Sequence, residues 1–183
     1  MARLARIGLP GVAHHVTPRG NNRADVCVLD MDPYVYLHLL SAKCAAARVS
    51  VRRYGRRGDP GHGIVMPAQA KRLARALSRT HWHYAPYVNH LPGCSGRRWQ
   101  NRLHSRPLGP RHLHRAMRYV ERNPVRAKLT TRAWDYAWSS ARVQVGLAPA
   151  RNSPTLIFGS DGPRGAAKTR SLLRPAWEGW PAV

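Results

Sequence analysis

RHLHRAMRYVERNPVRAKL, residues 111–129, is the stretch on which the fold turns. At about 100° per residue, Leu113, Ala116, Met117 and Val120 fall on one face, the spacing of a helix buried along one side. Tyr119 falls off that stripe, on a flank with His112, Arg115 and, one turn further on, Asn123. A helix held by its apolar face in this way carries the tyrosine to the border of a cleft. The rival reading is an amphipathic ring at the edge of a core, which is common on any helix flank. Asn123 precedes Pro124, and the residue before a proline is steered away from helical geometry. The helix is therefore expected over 110–122, with Asn123 available as N-cap of a short helix from 124.

Working outward, the expected order is strand 12–18, helix 32–48, a basic segment 49–61, strand 62–66, helix 68–84, strand 99–106 and then the helix at 110. Asp32-Pro33 reads as an N-cap followed by a proline in the first turn, and LHLLSAKCAAA behind it is rich in helix formers. Val49-Ser50-Val51 has the alternation of a strand stump, but RRYGRRGDPG (52–61) is too rich in Arg, Gly and Pro to read as a buried strand. Interleaved strands and helices of these lengths give an α+β fold, a ferredoxin-like sandwich with an antiparallel sheet and helices on one face. From about residue 146 the pattern ends, and Pro149, Pro154, Pro163, Pro175 and Pro181 stand among Gly, Ser and Arg. The expected organisation is one domain over 1–145 and a disordered, basic Pro/Gly-rich tail over 146–183.

The 183 residues carry 31 basic side chains against 8 acidic ones, a formal charge of +23. A surface so positive attracts polyanions and gains from the counterions it displaces, so nucleic acid is the expected partner. The excess of Arg over Lys is what a GC-rich coding sequence produces in any protein, but coding bias does not explain the scarcity of acids. Between Pro60 and Trp134 the single acid is Glu121, which excludes a nuclease that clusters carboxylates around two metal ions. Cys27, Cys44 and Cys94 are widely spaced, so neither a zinc ribbon nor a disulfide framework is expected. No run approaches the roughly 18 apolar residues of a membrane span, and the expectation is a cytoplasmic protein that does not enter a membrane.

Taken with WQNRLHSRPL (99–108) and WDYAWSSA (134–141), the stretch RYVERNPVRAKL (118–129) resembles the single-tyrosine HUH transposases, in particular the group associated with repetitive extragenic palindromes (REP). GVAHHVTPRGNNR (11–23) is similar to that family's first strand and turn, and ALSRTHWHYAPYVNH (76–90) to its second long helix. The resemblance covers roughly residues 5–145 as an ordered set of motifs. It implies the ferredoxin-like fold and an enzyme that cuts and rejoins single-stranded DNA at hairpin-flanked sites. It places the nucleophile at Tyr119, which would leave a 5′-phosphotyrosine. A free phenol ionises only near about pH 10, so a cation or base must assist. The resemblance also implies a divalent cofactor, Mg²⁺ or Mn²⁺, with His62 as a ligand and Asn123 as an amide-oxygen ligand. The protein would work as a monomer or a homodimer.

The sequence departs from the family at the metal strand, where two histidines normally stand two residues apart and so share one face. In GDPGHGIVMP (58–67) the positions flanking His62 at that spacing hold Pro60 and Ile64, neither of which can coordinate a metal. His14, His15 and Asp59 are the candidates to stand in for the missing ligand. For DNA contact the candidates are Arg19, Asn21, Asn22 and Arg23 in the turn after the first strand, Trp99, Gln100 and Arg102 further on, and Arg115 beside Tyr119. Trp99 reads equally well as core, and Trp134 and Trp138 as packing residues. Two rival functions use the same features: a relative that binds DNA without cutting it, and a basic RNA-binding protein. The second lacks an aromatic RNA-recognition strand, and the chain has one Phe.

Overall fold

Four short strands pair antiparallel in the order β2-β3-β1-β4, with β1 at His14–Thr17, β2 at Val49–Gly55, β3 at His62–Pro67 and β4 at His104–Pro107. Helix α1 (Asp32–Ala46) joins β1 to β2, and α2 (Ala70–Asn89) joins β3 to β4. This is the strand order of the expected ferredoxin-like α+β sandwich. The computed structural model of the protein describes residues 8–55, 61–100 and 104–147. Apart from Gly146 and Leu147, the expected tail over 146–183 lies outside the described residues, as do Asp59, Pro60 and Arg102.

Alternation along the strands divides the interior in two. Val16, Val49, Val51, Tyr54 and Val65 meet Leu37 and Cys44 of α1 and Leu73, Ala76 and Leu77 of α2, so these two helices cover one face as expected. Ala13 and Ile64 point to the opposite face. There they meet α3 (Pro110–Arg126), which brings Leu113, Ala116, Met117 and Val120, the stripe read from the sequence. The helix that carries Tyr119 thus lies across the sheet from α1 and α2. It is an addition to the one-sided sandwich.

Several elements differ in extent from their expected bounds, each for a physical reason. β2 continues through Arg52 and Arg53 to Gly55, with a bulge between Val51 and Arg53. The charged residue is tolerated because Arg53 turns toward α3, where its Nε stands 3.0 Å from Glu121 Oε1, an ion-pair distance although the N–H does not aim at the oxygen. Gly55 is required where β2 meets α3, because a Cβ there would come 2.5 Å from the Val120 carbonyl oxygen. Pro124 has no N–H to return to that carbonyl. The expected break at Asn123-Pro124 does not occur: α3 runs on to Arg126, and both residues are buried. Asn123 is therefore not the N-cap of a second helix, and its own carbonyl accepts from Ala127 N. α2 likewise passes through Pro86 to Asn89.

At the start of α1 the N-cap position is Met31, and Asp32 is fully buried instead of capping. Its carboxylate accepts from the Val28 and Leu29 amides and from the Tyr87 hydroxyl, so it ties the preceding loop to α2. Burial, then the bond to Asp32, pushes the Tyr87 phenol up to about 12. A clasp closes the other end of the domain. Ser140 N donates to Tyr54 O, Tyr54 N donates to Ser140 Oγ, and Ser139 forms a bridge with Gly55. Ser140 Oγ is also 2.9 Å from Glu121 Oε1. Burial raises the Glu121 carboxyl above its ordinary range, and Ser140 and Arg53 oppose the shift. No described helix is long and apolar enough to cross a membrane.

Candidate functional site

The sheet face beneath α3 gathers three rings from three elements. β1 pairs with β3 in a register that sets His15 opposite Ile64 and Val16 opposite Gly63, so His62 falls diagonally from His15 on the same face. Their rings are stacked at 5.2 Å between centroids and 17° between planes, and His15 Nε2 lies 3.1 Å from His62 Nδ1. Tyr119 closes the cluster edge-on, 5.4 Å from His62 and 6.3 Å from His15. Its ring is 40% exposed, so the phenol stands at the rim of the cluster, open to solvent. Arg126, two turns on along α3, places its guanidinium 5.6 Å above the tyrosine ring. Arg115, the cation expected beside Tyr119, is exposed one turn before it.

Burial, and second the charge of His104, hold the His15 imidazole below the ordinary histidine range. His104 stands on β4 opposite Thr17, in the row next to His15. A neutral imidazole keeps a lone pair, the form in which histidine binds metals. His14 differs in every respect although it is the adjacent residue. It points to the other side of the sheet, is fully buried, and has both ring nitrogens engaged, Nδ1 with the Val12 carbonyl and Nε2 with the Leu9 amide. It is a structural histidine.

A divalent ion of the kind the resemblance implies finds two imidazole nitrogens 3.1 Å apart. Among the described residues no third His, Cys, Asp or Glu joins them. Among the described residues, further ligands to such an ion would be oxygens of amide or hydroxyl groups. Asn123 is one turn beyond Tyr119 on α3 and buried, so its amide is the nearest candidate by position on the helix. The residues present fit such an ion as a two-histidine site completed by oxygen donors.

The two segments expected to touch DNA prove to be one. Asn21 N donates to Arg98 O, Gln100 N donates to Arg19 O, and Gly20 bridges Trp99, so the turn after β1 is stitched to the segment before β4. Asn21–Arg23 is a single 3-10 turn in which Asn22 takes a left-handed conformation at φ 52°, one that asparagine tolerates. Arg19 and Asn22 are exposed, with Asn21 and Gln100 half-buried beside them. Trp99 belongs to the interior. It stacks on His81 at 3.8 Å and 11°, with Tyr36 and Tyr84 around it, and its buried Nε1 has no hydrogen-bond partner. The exposed indole that sequence reading missed is Trp82, 68% exposed on α2. Its position four residues from Ser78 on the polar side of a strongly amphipathic helix is the signal that marks it as outward-facing.

A ferredoxin-like sheet with two helices on one face and α3 on the other defines an α+β sandwich in which Tyr119 is set beside the paired His15 and His62. Among solved structures the chain is similar to the REP-associated tyrosine transposase bound to a REP hairpin, at 16% identity and a TM-score of 0.64, over 91% of this chain and 100% of that one. It is also similar, at 15% identity and a TM-score of 0.41, to a Deinococcus radiodurans protein thought to be a transposase, over 66% of this chain and 96% of that one. No family model matches the sequence, and no curated relative matches it. The fold of this chain is that of the REP-associated tyrosine transposase.

Proposed function

We propose that the protein is a single-tyrosine transposase of the REP-associated kind, which cuts and rejoins single-stranded DNA at sites flanked by a hairpin. The observation that carries this reading is the position of Tyr119, half-open to solvent and edge-on to the His15 and His62 rings, on a chain of charge +23. The similarity of fold to a transposase bound to a hairpin supports it.

In the proposed reaction the Tyr119 oxygen attacks the scissile phosphorus, the bond from phosphorus to the 3′ oxygen breaks, and that oxygen leaves as a free 3′ hydroxyl carrying one proton. The 5′ phosphate remains on the tyrosine, and attack by a 3′ hydroxyl reverses the step and rejoins a strand. His62 and Asn123 would hold Mg²⁺ or Mn²⁺, and such an ion would supply positive charge beside the phosphate. Arg126, over the ring, is the cation placed to hold the phosphate as charge develops on it. Arg19, Asn21, Asn22 and Gln100 grip the nucleic acid on the stitched surface, where backbone and side-chain donors meet phosphates.

The test is covalent capture. An oligonucleotide carrying a hairpin and a single-stranded flank is incubated with protein and Mn²⁺, and the adduct is resolved under denaturing conditions. Tyr119→Phe removes the attacking oxygen alone. Its hydroxyl makes no hydrogen bond among the described residues, so the variant should keep its stability within about 0.5 kcal/mol and its DNA affinity, while the adduct disappears. An adduct formed equally by Tyr119→Phe refutes the assignment. No adduct from the unaltered protein with either ion leaves a protein that binds DNA without cutting it.

A further inference from the structure

We infer that His15 is a metal ligand, so that one divalent cation is held across two neighbouring strands by His15 Nε2 of β1 and His62 Nδ1 of β3, beside Tyr119. The inference deepens the proposed strand-cleaving function and rests on it for the role of the ion. The site itself is argued from the pair.

The second histidine missing from β3 is restored in space by the register. Residues diagonal to one another across an antiparallel pair are within reach of long side chains, and here the two ring nitrogens have already met at 3.1 Å. Two imidazole nitrogens bound at about 2.1 Å in adjacent positions of one ion stand roughly 3 Å apart, so the separation in the protein is close to the one coordination needs. Without an ion, a pair at this distance shares a single proton between two lone pairs. A divalent cation about 2.1 Å from each nitrogen would sit to one side of the line between them, accept both lone pairs and release that proton to solvent.

A purely structural histidine pair is the competing account, and the neighbouring residue shows how this chain builds a structural histidine. His14 is sealed in the interior with a backbone group on each ring nitrogen. His15 and His62 are only half-buried, on the sheet face beneath α3 and beside a solvent-exposed phenol. Two imidazoles and otherwise oxygen donors suit Mn²⁺ better than Mg²⁺, because the softer ion accepts nitrogen more readily. With no third His, Cys, Asp or Glu among the described residues, coordination positions remain for water or for a phosphate oxygen of the substrate.

The experiment reads the ion and not the reaction. Mn²⁺ binding to the full chain is followed by titration calorimetry and by loss of the free Mn²⁺ paramagnetic resonance signal, without DNA. The unaltered protein should bind one Mn²⁺, more tightly than Mg²⁺. His15→Ala and His62→Ala should each weaken binding at least about tenfold, and Tyr119→Phe should leave it unchanged. If either alanine variant fails to fold, Mn²⁺ broadening of the His15 and His62 ring proton signals in the unaltered protein gives the same answer. Absence of Mn²⁺ binding, or loss in His62→Ala with none in His15→Ala, overturns the inference. Mn²⁺ bound through both histidines in a protein that forms no DNA adduct overturns the proposed function and leaves this site standing. A Tyr119-dependent adduct with His15→Ala still binding Mn²⁺ normally does the reverse.

Discussion

Gly55→Ala is the sharpest test of how the sheet positions the tyrosine. The Cβ it adds would lie 2.5 Å from the Val120 carbonyl oxygen, against 3.4 Å or more for an ordinary contact, so β2 and α3 must part by about 0.9 Å. That oxygen is main chain, fixed in a helix by Val120, Ile64 and Ala13 packing beneath it and by Glu121 at the Ser140 clasp, so it cannot swing aside as a side chain end would. Overpacking of this kind costs about 1–3 kcal/mol of stability. Val120 is the residue after Tyr119, and the displacement carries the phenol away from the histidine pair by a similar amount. A reacting group misplaced by about 1 Å loses on the order of a hundredfold in rate, equivalent to about 2.7 kcal/mol in the barrier. The assay is single-turnover adduct formation beside thermal unfolding and DNA affinity. The expected outcome is a Tm lowered by several degrees, an adduct rate down by about two orders of magnitude, and affinity unchanged, because the stitched surface of Arg19 and Gln100 does not touch Gly55. A variant with the Tm and adduct rate of the unaltered protein would refute the close approach of β2 to α3, or the claim that it sets the position of Tyr119.

Ser140→Ala removes the acceptor of the buried Tyr54 amide and a donor to Glu121. Loss of a buried hydrogen bond costs about 0.5–1.5 kcal/mol, which should lower the Tm by a few degrees; an unchanged Tm would show that the clasp holds nothing. DNA affinity should fall steeply with salt, with a slope of log K against log salt of about −2 or steeper, which needs only about three phosphate contacts on a single strand. Arg19→Ala should flatten that slope by about one unit without changing preference among sequences. A salt-independent affinity would mean that the charge of +23 does not drive binding.

How much of this was legible in the sequence depends on the range of the interaction involved. The buried stripe of α3 is local: Leu113, Ala116, Met117 and Val120 repeat at helical spacing and pack as read. Its length was not legible. Asn123-Pro124 carries the local signature of a break, and burial of both residues outweighs the steric preference before proline. β2 failed for a related reason. Arg52, Arg53 and Gly55 are poor strand residues in isolation, yet Arg53 faces Glu121 and Gly55 admits the helix, and neither partner is near in sequence. That α3 crosses the sheet opposite α1 and α2 was equally invisible, since an apolar stripe shows that a helix is buried on one side but not against which face.

The histidines make the same argument at the site. Read along one strand, His62 stands alone, because alternation places Pro60 and Ile64 where a second ligand belongs. Read across strands, the register sets His15 within reach, although 47 positions separate the two in the chain. The sequence contains two adjacent histidines at 14 and 15, and nothing in their types distinguishes them. The pleat does, since it turns His14 to the α1 and α2 side, where backbone groups occupy both nitrogens, and His15 to the α3 side with Tyr119. Shifting β1 by one residue against β3 would exchange the two rings and remove His15 from the tyrosine. The pairing of β1 with β3 is therefore what brings the two separated histidines together, and α3, held by the close approach at Gly55 and by the Ser140 clasp, is what brings Tyr119 to them.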